Sequence, residues 1–568
     1  MKLFATQRFL LILAALSVLS ACSIRKGPVT GPVGKNGMVV SAHPQSTDIG
    51  LRILEQGGNA MDAAVAVEFA LAVCYPAAGN IAGGGFWVAR TSAGKVLTLD
   101  YREKAPAAAH RDMYLGPDGN VVEGLSTETI LASGVPGTVD GMVKAHAKFG
   151  SMPWGRVVQP AIDLAINGFP LTKAQASGLN SIRKTLLERN SWNTAFVRDS
   201  AWKEGDLLVQ PELGSTLVRI RDAGRDGFYS GPTAEMIVGQ MIESGGLITA
   251  ADLKDYSAVW REPVSGEYRG YRFYSMAPPS SGGVALSQLL GMMEQFDVHS
   301  FGHNTVKSVH YMVESEKRVY ADRARYLGDP SFFTVPVEKL TDRIYLKARA
   351  AEIRPASAMP SDSVYSGSFS GYESTETTHY SVADRWGNAV AATTTLNGGY
   401  GNKIVVRGAG FLLNNEMDDF SSKPGFPNIY GLVGNVANSI EPGKRMLSCM
   451  TPTLVTKNDK LVLVVGSPGG STIITSVFQT VLNVLDHGMT MQEAVNAKRF
   501  HHQWRPDLIQ YEPEALDTLT ITRLAEMGHH LKRIGKIGRV DAILIRPDGK
   551  MEGGADPRGD DKAKGFRP

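Results

Sequence analysis

The succession of elements along this chain predicts an α/β (α+β) fold, a four-layer α/β/β/α sandwich. Three observations carry that reading: an Ala-rich helical stretch at 60–73 leading into a β-hairpin, a mostly helical middle over about 140–360, and a change to β character from Thr377. In order, residues 46–75 read as two helices parted by Gly57-Gly58-Asn59, the first carrying apolar Leu51, Ile53 and Leu54 and the second an Ala/Val run. Runs 86–89 and 96–100 are short and β-rich, split by the turn at 92–95, so they form a hairpin that ends at Arg102. Within the helical middle, residues 314–326 set charged side chains on one side and Val319, Tyr320 and Ala324 on another, an amphipathic helix. Runs 379–383 and 389–395 flank the turn 384–388, and 454–457 and 461–465 bracket Asn458-Asp459, which gives two more hairpins.

Composition limits what such a body can do. With 43% hydrophobic and 20% charged residues, the 568-residue chain has ample material for a core and is not disordered. Lys plus Arg number 59 against 56 Asp plus Glu, and no basic block appears, so a nucleic-acid partner is not indicated. No internal repeat or low-complexity tract is present.

The N-terminus reads as an address. Lys2 and Arg8 lead into an apolar run at 9–21, shorter than the ~20 residues a spanning helix needs but suited to the core of a signal peptide. Leu19-Ser20-Ala21-Cys22 resembles the bacterial lipobox, in which the Cys takes a diacylglycerol thioether and becomes the first mature residue; Ser23 after it favours the outer membrane. The alternative is an ordinary secretory signal with an accidental Cys22. Either expectation exports the protein, to the periplasm with membrane contact through Cys22 in the first case. Only Cys74 and Cys449 then remain, so no disulfide framework holds the fold and stability must come from the core.

Four constellations can carry chemistry. Glu376-Thr377-Thr378-His379-Tyr380-Ser381 sits where a polar Ser/Gly-rich stretch turns into a β-run. A Thr hydroxyl becomes a nucleophile once a base removes its proton, and a free α-amine on the same residue is such a base, so this reading requires cleavage between Glu376 and Thr377. Gly466-Ser467-Pro468-Gly469-Gly470-Ser471 follows an apolar strand and precedes a helix-like run from Thr472. Adjacent glycines let two N–H groups converge on an oxyanion; the same residues also suit a plain strand-to-helix turn with Ser as N-cap. Asp100-Tyr101-Arg102-Glu103-Lys104 places an Arg, able to grip a carboxylate with two parallel bonds, at the hairpin end. Asn414-Asn415-Glu416-Met417-Asp418-Asp419 clusters acceptors that could hold an ammonium or cap a helix. Together the last two suit a zwitterionic amino-acid head.

His501-His502 invites a metal reading, but adjacent residues on one element point different ways and no Cys or carboxylate stands at helical spacing, so no metal is assigned. The phosphate-loop pattern is absent, and Gly83-Gly84-Gly85 lacks dinucleotide spacing, so no nucleotide cofactor is indicated.

These segments, with AGNIAGGGF at 78–86, DYREKAP at 100–106, GVPGTV at 134–139, APPSSGG at 277–283, TTHYSVAD at 377–384, LLNNEMDDF at 412–420, PNIYGLVGNVAN at 427–438, GSPGGS at 466–471 and FHHQW at 500–504, resemble in sequence and order the γ-glutamyltranspeptidases, or glutathione hydrolases, of the N-terminal-nucleophile hydrolase superfamily. The resemblance spans about residues 34–558. It implies a cut before Thr377; with 1–21 removed as the expected signal, that leaves a large subunit, 22–376, and a 192-residue small one, 377–568, forming one sandwich. By that resemblance Thr377 is nucleophile and base, Thr395 orients its hydroxyl, and the Gly469 and Gly470 N–H groups receive the oxyanion. Arg102 and Ser448 hold the substrate α-carboxylate, and Asn397, Glu416 and Asp419 its α-ammonium. Residues 424–438 resemble a lid with Tyr430 as its closing residue. The implied reaction transfers a γ-glutamyl group from glutathione or related compounds to water, an amino acid or a peptide.

The sequence departs from the family's pattern in places. Cys449 stands where a second Ser often helps bind the α-carboxylate, Glu416 replaces a Gln seen in some bacterial relatives, and Gly398-Gly399-Tyr400 differs from hydroxyl-rich versions of that loop. Two competing readings are a cephalosporin-acylase-like amidase of the same fold and a lipoprotein that binds γ-glutamyl peptides without turning them over.

Overall fold

Alternate residues of the central strands face different cores, as two sheets stacked face to face require. In the computed structural model, which describes residues 27–364 and 377–566, Met38 and Val40 join one apolar cluster while Val39 between them joins another. The expected signal segment, Cys22 and Glu376 lie outside the described residues.

Numbered along the chain, the strands of the two large sheets are β1 (Val33–Gly34), β2 (Gly37–Ser41), β3 (Gly84–Arg90), β4 (Val96–Asp100), β5 (Val259–Arg261), β6 (Val264–Tyr268) and β7 (Tyr271–Ser275), then β8 (Thr378–Asp384), β9 (Ala389–Thr395), β10 (Thr453–Lys457), β11 (Lys460–Gly466), β12 (Asp541–Ile545), β13 (Met551–Gly554) and β14 (Lys562–Gly565). One sheet runs β14-β2-β8-β9-β3-β4-β5 and the other β1-β13-β12-β11-β10-β7-β6, each with seven antiparallel-paired strands. Ala389, Ala391, Leu454, Val464 and Ile543 fill the space between the sheets.

Helices cover both outer faces, giving the four layers. On one side are α1 (Pro44–Glu55) and α2 (Ala60–Cys74), packed on Val39, Val390 and Ala392. Every residue of α2 is buried, and its start is fixed by a capping box in which Asn59 accepts from the Met61 and Asp62 N–H groups while Asp62 receives the Asn59 N–H. On the other side α3 (Gly282–Met293), α4 (Val306–Tyr326) and α5 (Thr472–Leu485) pack on Leu463 and Val465. Because central strands are buried on both faces, they read as near-continuous apolar runs. Each buried Val or Leu contributes roughly 1.5–3 kcal/mol, and Cys74 and Cys449, both buried and free, fall in different clusters.

Three local expectations change. The helix read at 314–326 begins at Val306 and buries its charges: Glu314, Glu316, Lys317 and Arg318 are at most 1% exposed. Glu314 balances Lys317 at 2.9 Å and Arg318 at 3.0 Å along its own helix, which is how charged residues come to face inward. The helical middle also contains β5, β6 and β7, the last two joined by a turn at Arg269-Gly270 with φ of +50° and +74°. Ser, Gly, Glu and Arg interleaved with the Tyr and Phe of β6 and β7 hid the alternation of a half-buried hairpin. Lastly, Ser471 precedes α5 without a side-chain capping bond.

Candidate active site

Sheet register creates the first pair of groups. Thr378 of β8 lies opposite Thr394 of β9, so Thr377, just before β8, and Thr395, the last residue of β9, meet at the same end of the sheet. Thr395 Oγ1 accepts the Asn397 N–H at 2.8 Å, which leaves the hydroxyl proton to be donated elsewhere. Both threonines line one cavity with Arg102, Asn397, Glu416, Asp419, Tyr430, Ser448, Cys449 and Gly470, so ten of the predicted residues converge. The free space between these side chains is narrow, about 20 Å³, room for about one water.

The glycine pair bounds this cavity at the turn from β11 into α5. Gly469 has φ +132° and Gly470 +53°, backbone that L-residues rarely adopt. Gly470 forms part of the wall, with the start of α5 behind it contributing the positive end of a helix dipole. A Cβ added at Gly469 would meet Thr472 Oγ1 at 2.5 Å and Gly538 Cα at 3.2 Å, so no side chain fits there.

Opposite the threonines lies a buried charge cluster. Arg102, wholly buried beyond β4, donates to Glu416 and Asp419 on a single 3₁₀ turn and to the carbonyls of Met446 and Leu447 at 3.3 Å each. Burial pushes the Glu416 carboxyl well above the usual range against the pull of Arg102, and pushes its neighbour Glu103 up to about 7. Among the described residues, the buried acceptors here that lack a hydrogen-bond partner are Glu416 Oε2, Asn397 Oδ1 and both carboxylate oxygens of Glu103, and the first two belong to residues that line the cavity. An orphaned buried acceptor is costly, and two at one cavity are a ready site for an ammonium. Asn397 reaches this position through a left-handed backbone, φ +70°, tied by its Nδ2 to the Asn415 carbonyl at 2.9 Å.

Ser448 supplies a donor on the other side. Its Oγ accepts the Met450 N–H at 3.1 Å, so its proton is available to a carboxylate. Cys449 offers a thiol whose pKa burial raises, a weak donor.

Comparison with known proteins agrees with this geometry. The family model "Gamma-glutamyltranspeptidase" matches residues 46–566. The glutathione hydrolase proenzyme of Escherichia coli K12 is 47% identical over 535 residues, covering 94% of this chain and 92% of that one. The chain belongs to the γ-glutamyltranspeptidase family. Among solved structures, the cephalosporin acylase of Bacillus halodurans matches with a TM-score of 0.83 at 26% identity, over 96% of this chain and 99% of that one. The Helicobacter pylori γ-glutamyltranspeptidase matches with a TM-score of 0.57 at 45% identity, over 58% of this chain and 94% of that one.

The segment 424–438 lies across the cavity, with Tyr430 and Leu432 in its lining. The Tyr430 hydroxyl donates to the Asn397 carbonyl, and its ring packs so close to Gly470 that a Cβ there would meet Tyr430 Cδ1 at 2.4 Å. The segment is tied to the 3₁₀ turn at Glu416–Asp419: Asn428 donates to Asp419 at 2.9 Å and the Ile429 N–H to Asp418 at 2.9 Å. Burial raises the Asp418 carboxyl to about 7.

The FHHQW motif supports this segment from beneath. Gln503 Nε2 donates to the Tyr430 carbonyl at 3.3 Å, and His501 holds Gln503 at 3.0 Å and Thr475 at 2.8 Å. His502 is engaged by the Trp504 N–H at 3.0 Å and by Asp507 at 3.2 Å. All four ring nitrogens of the pair are thus occupied by protein, which leaves no lone pair for a metal. The described His310–Glu314–His529 group is equally committed, since Lys317 and Arg318 already balance Glu314.

Sequence reasoning missed four residues of the site: Glu103, Ser281, Arg323 and Gln503. Glu103 and Gln503 stood inside quoted motifs beside the chosen residues, and Ser281 inside APPSSGG; Arg323 had no local signal, because its helix was read with the charges outward.

Proposed function

We propose that the protein is a self-processing γ-glutamyltransferase and glutathione hydrolase. The observation that carries the reading is the single cavity in which a Thr pair faces two orphaned buried acceptors, Asn397 Oδ1 and Glu416 Oε2, beside Arg102 and the Ser448 hydroxyl. That is a mould for an amino-acid head with both charges fixed, which sets the distance from head to reacting carbonyl and rejects α-amides by geometry.

Maturation comes first. The Thr377 hydroxyl attacks the Glu376 carbonyl, the C–N bond breaks to release the Thr377 amine, and water hydrolyses the ester to leave the Glu376 carboxylate. In turnover the freed amine takes the proton from Thr377 Oγ1, directly or through a water, while Thr395 donates to that oxygen and holds it in line. Oγ1 adds to the γ-carbonyl, whose oxygen gathers charge at Gly469 and Gly470; one such donor is worth roughly 10²–10³ in rate. Collapse of the adduct breaks the γ-amide bond, the leaving amine takes the proton, and a γ-glutamyl ester remains. Water or an acceptor amine repeats the steps in reverse, so the acyl group ends as glutamate or a new γ-glutamyl amide. The near-complete match to a Helicobacter pylori chain that covers 58% of this one supports a two-subunit mature form.

The acylase neighbour favours a second reading, hydrolysis of an amide whose acyl group lacks the ammonium. The two orphaned acceptors weigh against it, since such a substrate would leave them unpaired. Export and a lipid anchor on Cys22 are part of the proposal and rest on the sequence of residues 1–23. The test is the chain lacking 1–21, beside Thr377→Ala. Wild type should appear as two polypeptides, the smaller beginning at Thr377, and release amine from a γ-glutamyl anilide but not from a glutaryl anilide. Thr377→Ala should stay a single inactive chain. An uncut, inactive wild type that binds glutamate would favour the binding protein, and preference for the glutaryl compound the acylase.

A further inference from the structure

The turn between β11 and α5 is loose by composition and yet has to be aimed. Gly469 and Gly470, with φ of +132° and +53°, can follow its path, but residues without a Cβ leave each peptide plane free to rotate. The glycines therefore permit the turn without fixing where its N–H groups point. Two buried hydroxyls supply the aim. Ser467 Oγ donates to the Pro468 carbonyl at 2.7 Å and accepts the Arg539 N–H at 2.9 Å, so its proton and a lone pair are both engaged. Thr472, the first residue of α5, sets its Oγ1 at 2.8 Å and its N–H at 2.9 Å on the Gly469 carbonyl. A trans peptide is planar, with its C=O and N–H pointing opposite ways. The Pro468 carbonyl shares a peptide with the Gly469 N–H, and the Gly469 carbonyl shares one with the Gly470 N–H. Each hydroxyl thus holds one peptide by its oxygen and sends one N–H the other way. Pro468 assists, because its ring fixes φ and its ψ then sets the plane that Ser467 holds. The clamp is anchored outside the turn: the Arg539 side chain is tied to Asp561, to the Tyr75 hydroxyl at 2.7 Å and to the Ala42 carbonyl at 2.6 Å.

We propose that Ser467 and Thr472 are positioning residues for γ-glutamyl transfer, aiming the Gly469 and Gly470 N–H groups at the oxygen of the tetrahedral adduct. The proposal rests on the reading of this turn as the oxyanion site. Neither residue is among the described residues that line the cavity, so both act through the glycine backbone rather than on the substrate. The γ-carbonyl oxygen of the bound donor is weakly charged and gains little from well-aimed N–H groups, whereas in the adduct it carries a full charge and gains most. The hydroxyls therefore act on the chemical step and leave donor binding alone. Ser467 is the more sensitive of the two, since the Thr472 N–H stays on the Gly469 carbonyl when the Thr472 hydroxyl is removed.

The test separates ground-state from tetrahedral ligands. Mature wild type, Ser467→Ala, Thr472→Ala and Thr472→Ser are compared for turnover of a γ-glutamyl anilide, normalised to the fraction cut before Thr377. Binding is measured for L-glutamate and for its analogue with a boronic acid at the γ position. The boron takes a lone pair of Thr377 Oγ1 and becomes an anionic tetrahedron, the hydroxyl proton passing to the Thr377 amine. Loss of one well-aimed donor predicts that Ser467→Ala lowers kcat and weakens boronate binding, each about 10–100-fold, with KM and L-glutamate binding within about threefold. Thr472→Ala should follow the same pattern at about 3–10-fold, and Thr472→Ser, which keeps the hydroxyl, should recover most of that loss. Equal losses for both probes would make the hydroxyls structural only, and an unchanged kcat would show that the turn keeps its aim without them; either result overturns the proposal while the assigned reaction stands. A wild type that neither turns over the anilide nor binds the boronate more tightly than L-glutamate refutes the assigned reaction, and the proposal falls with it. If Ser467→Ala stays uncut on the gel, the Thr472→Ala and Thr472→Ser pair decides by the same comparison of kcat with KM and of one probe with the other.

Discussion

Gly470 and Tyr430 offer the sharpest check on how the covering segment and the glycine turn before α5 share space. In Gly470→Ala the new Cβ would sit 2.4 Å from Tyr430 Cδ1 and 2.7 Å from Cε1. Carbon atoms in contact prefer about 3.5–4.0 Å, so the ring must retreat by about 1 Å and give up its hydroxyl bond to Asn397, worth ~1 kcal/mol. Holding an Ala at the φ of +53° costs a further ~1–2 kcal/mol. Together these oppose closure by about 2–3 kcal/mol, which raises the donor KM roughly 30–100-fold, and the displaced N–H lowers kcat by about 10²-fold. The assay is initial-rate release from a γ-glutamyl anilide, normalised to the fraction cut before Thr377. Tyr430→Ala supplies the control: without the ring the clash is gone, and adding Gly470→Ala should raise KM only by the backbone share, about 5–30-fold. If Gly470→Ala raises KM by the same factor with and without the Tyr430 ring, the two do not share space and the reasoning is wrong.

Further outcomes follow from the buried charges. Arg102→Ala leaves Glu103, Glu416 and Asp419 without their cation, so the melting temperature should fall by an amount corresponding to about 3–5 kcal/mol, with donor KM raised; an unchanged melt and KM would remove Arg102 from the cluster. Ammonium binding needs ionised Glu416, whose carboxyl is raised by burial, so donor KM should climb as pH falls through that raised pKa, and Glu416→Gln should flatten the climb; parallel profiles would exclude Glu416. Glu68 on α2 is raised by burial from 4.5 to about 7, so the folded state holds its proton more tightly. Stability should therefore fall as pH rises from 4.5 to 7, by about 3 kcal/mol, and Glu68→Gln should remove that slope and be the more stable form at pH 8; identical slopes in thermal melts would show that Glu68 does not titrate there.

Much of the fold was legible because burial on both faces leaves a plain mark. The Ala/Val run of α2 and the apolar runs of β9 and β11 appear in the sequence as what they are, and the turns between paired strands carry Gly, Asn or Asp. The hairpin of β6 and β7 was not legible, since an edge strand with one wet face resembles a polar loop or helix. The charged face of α4 misled for a stronger reason: periodicity reports which residues share a side, and only partners such as Glu314 for Lys317 decide whether that side is buried.

By itself the sequence determined the chemistry available. It supplied a Thr at a β-boundary, paired glycines after a strand, an Arg at a hairpin end, and an acidic cluster, in an order that resembles one family. The tertiary structure decided who faces whom. Register brought Thr377 beside Thr395, and a single 3₁₀ turn gave Glu416 and Asp419 to Arg102. It turned Arg323 into the cavity and set the Tyr430 ring against Gly470. These are contacts between residues far apart along the chain, and such contacts are fixed by strand register and by the shape left when layers close on one another, which no local pattern of residues encodes.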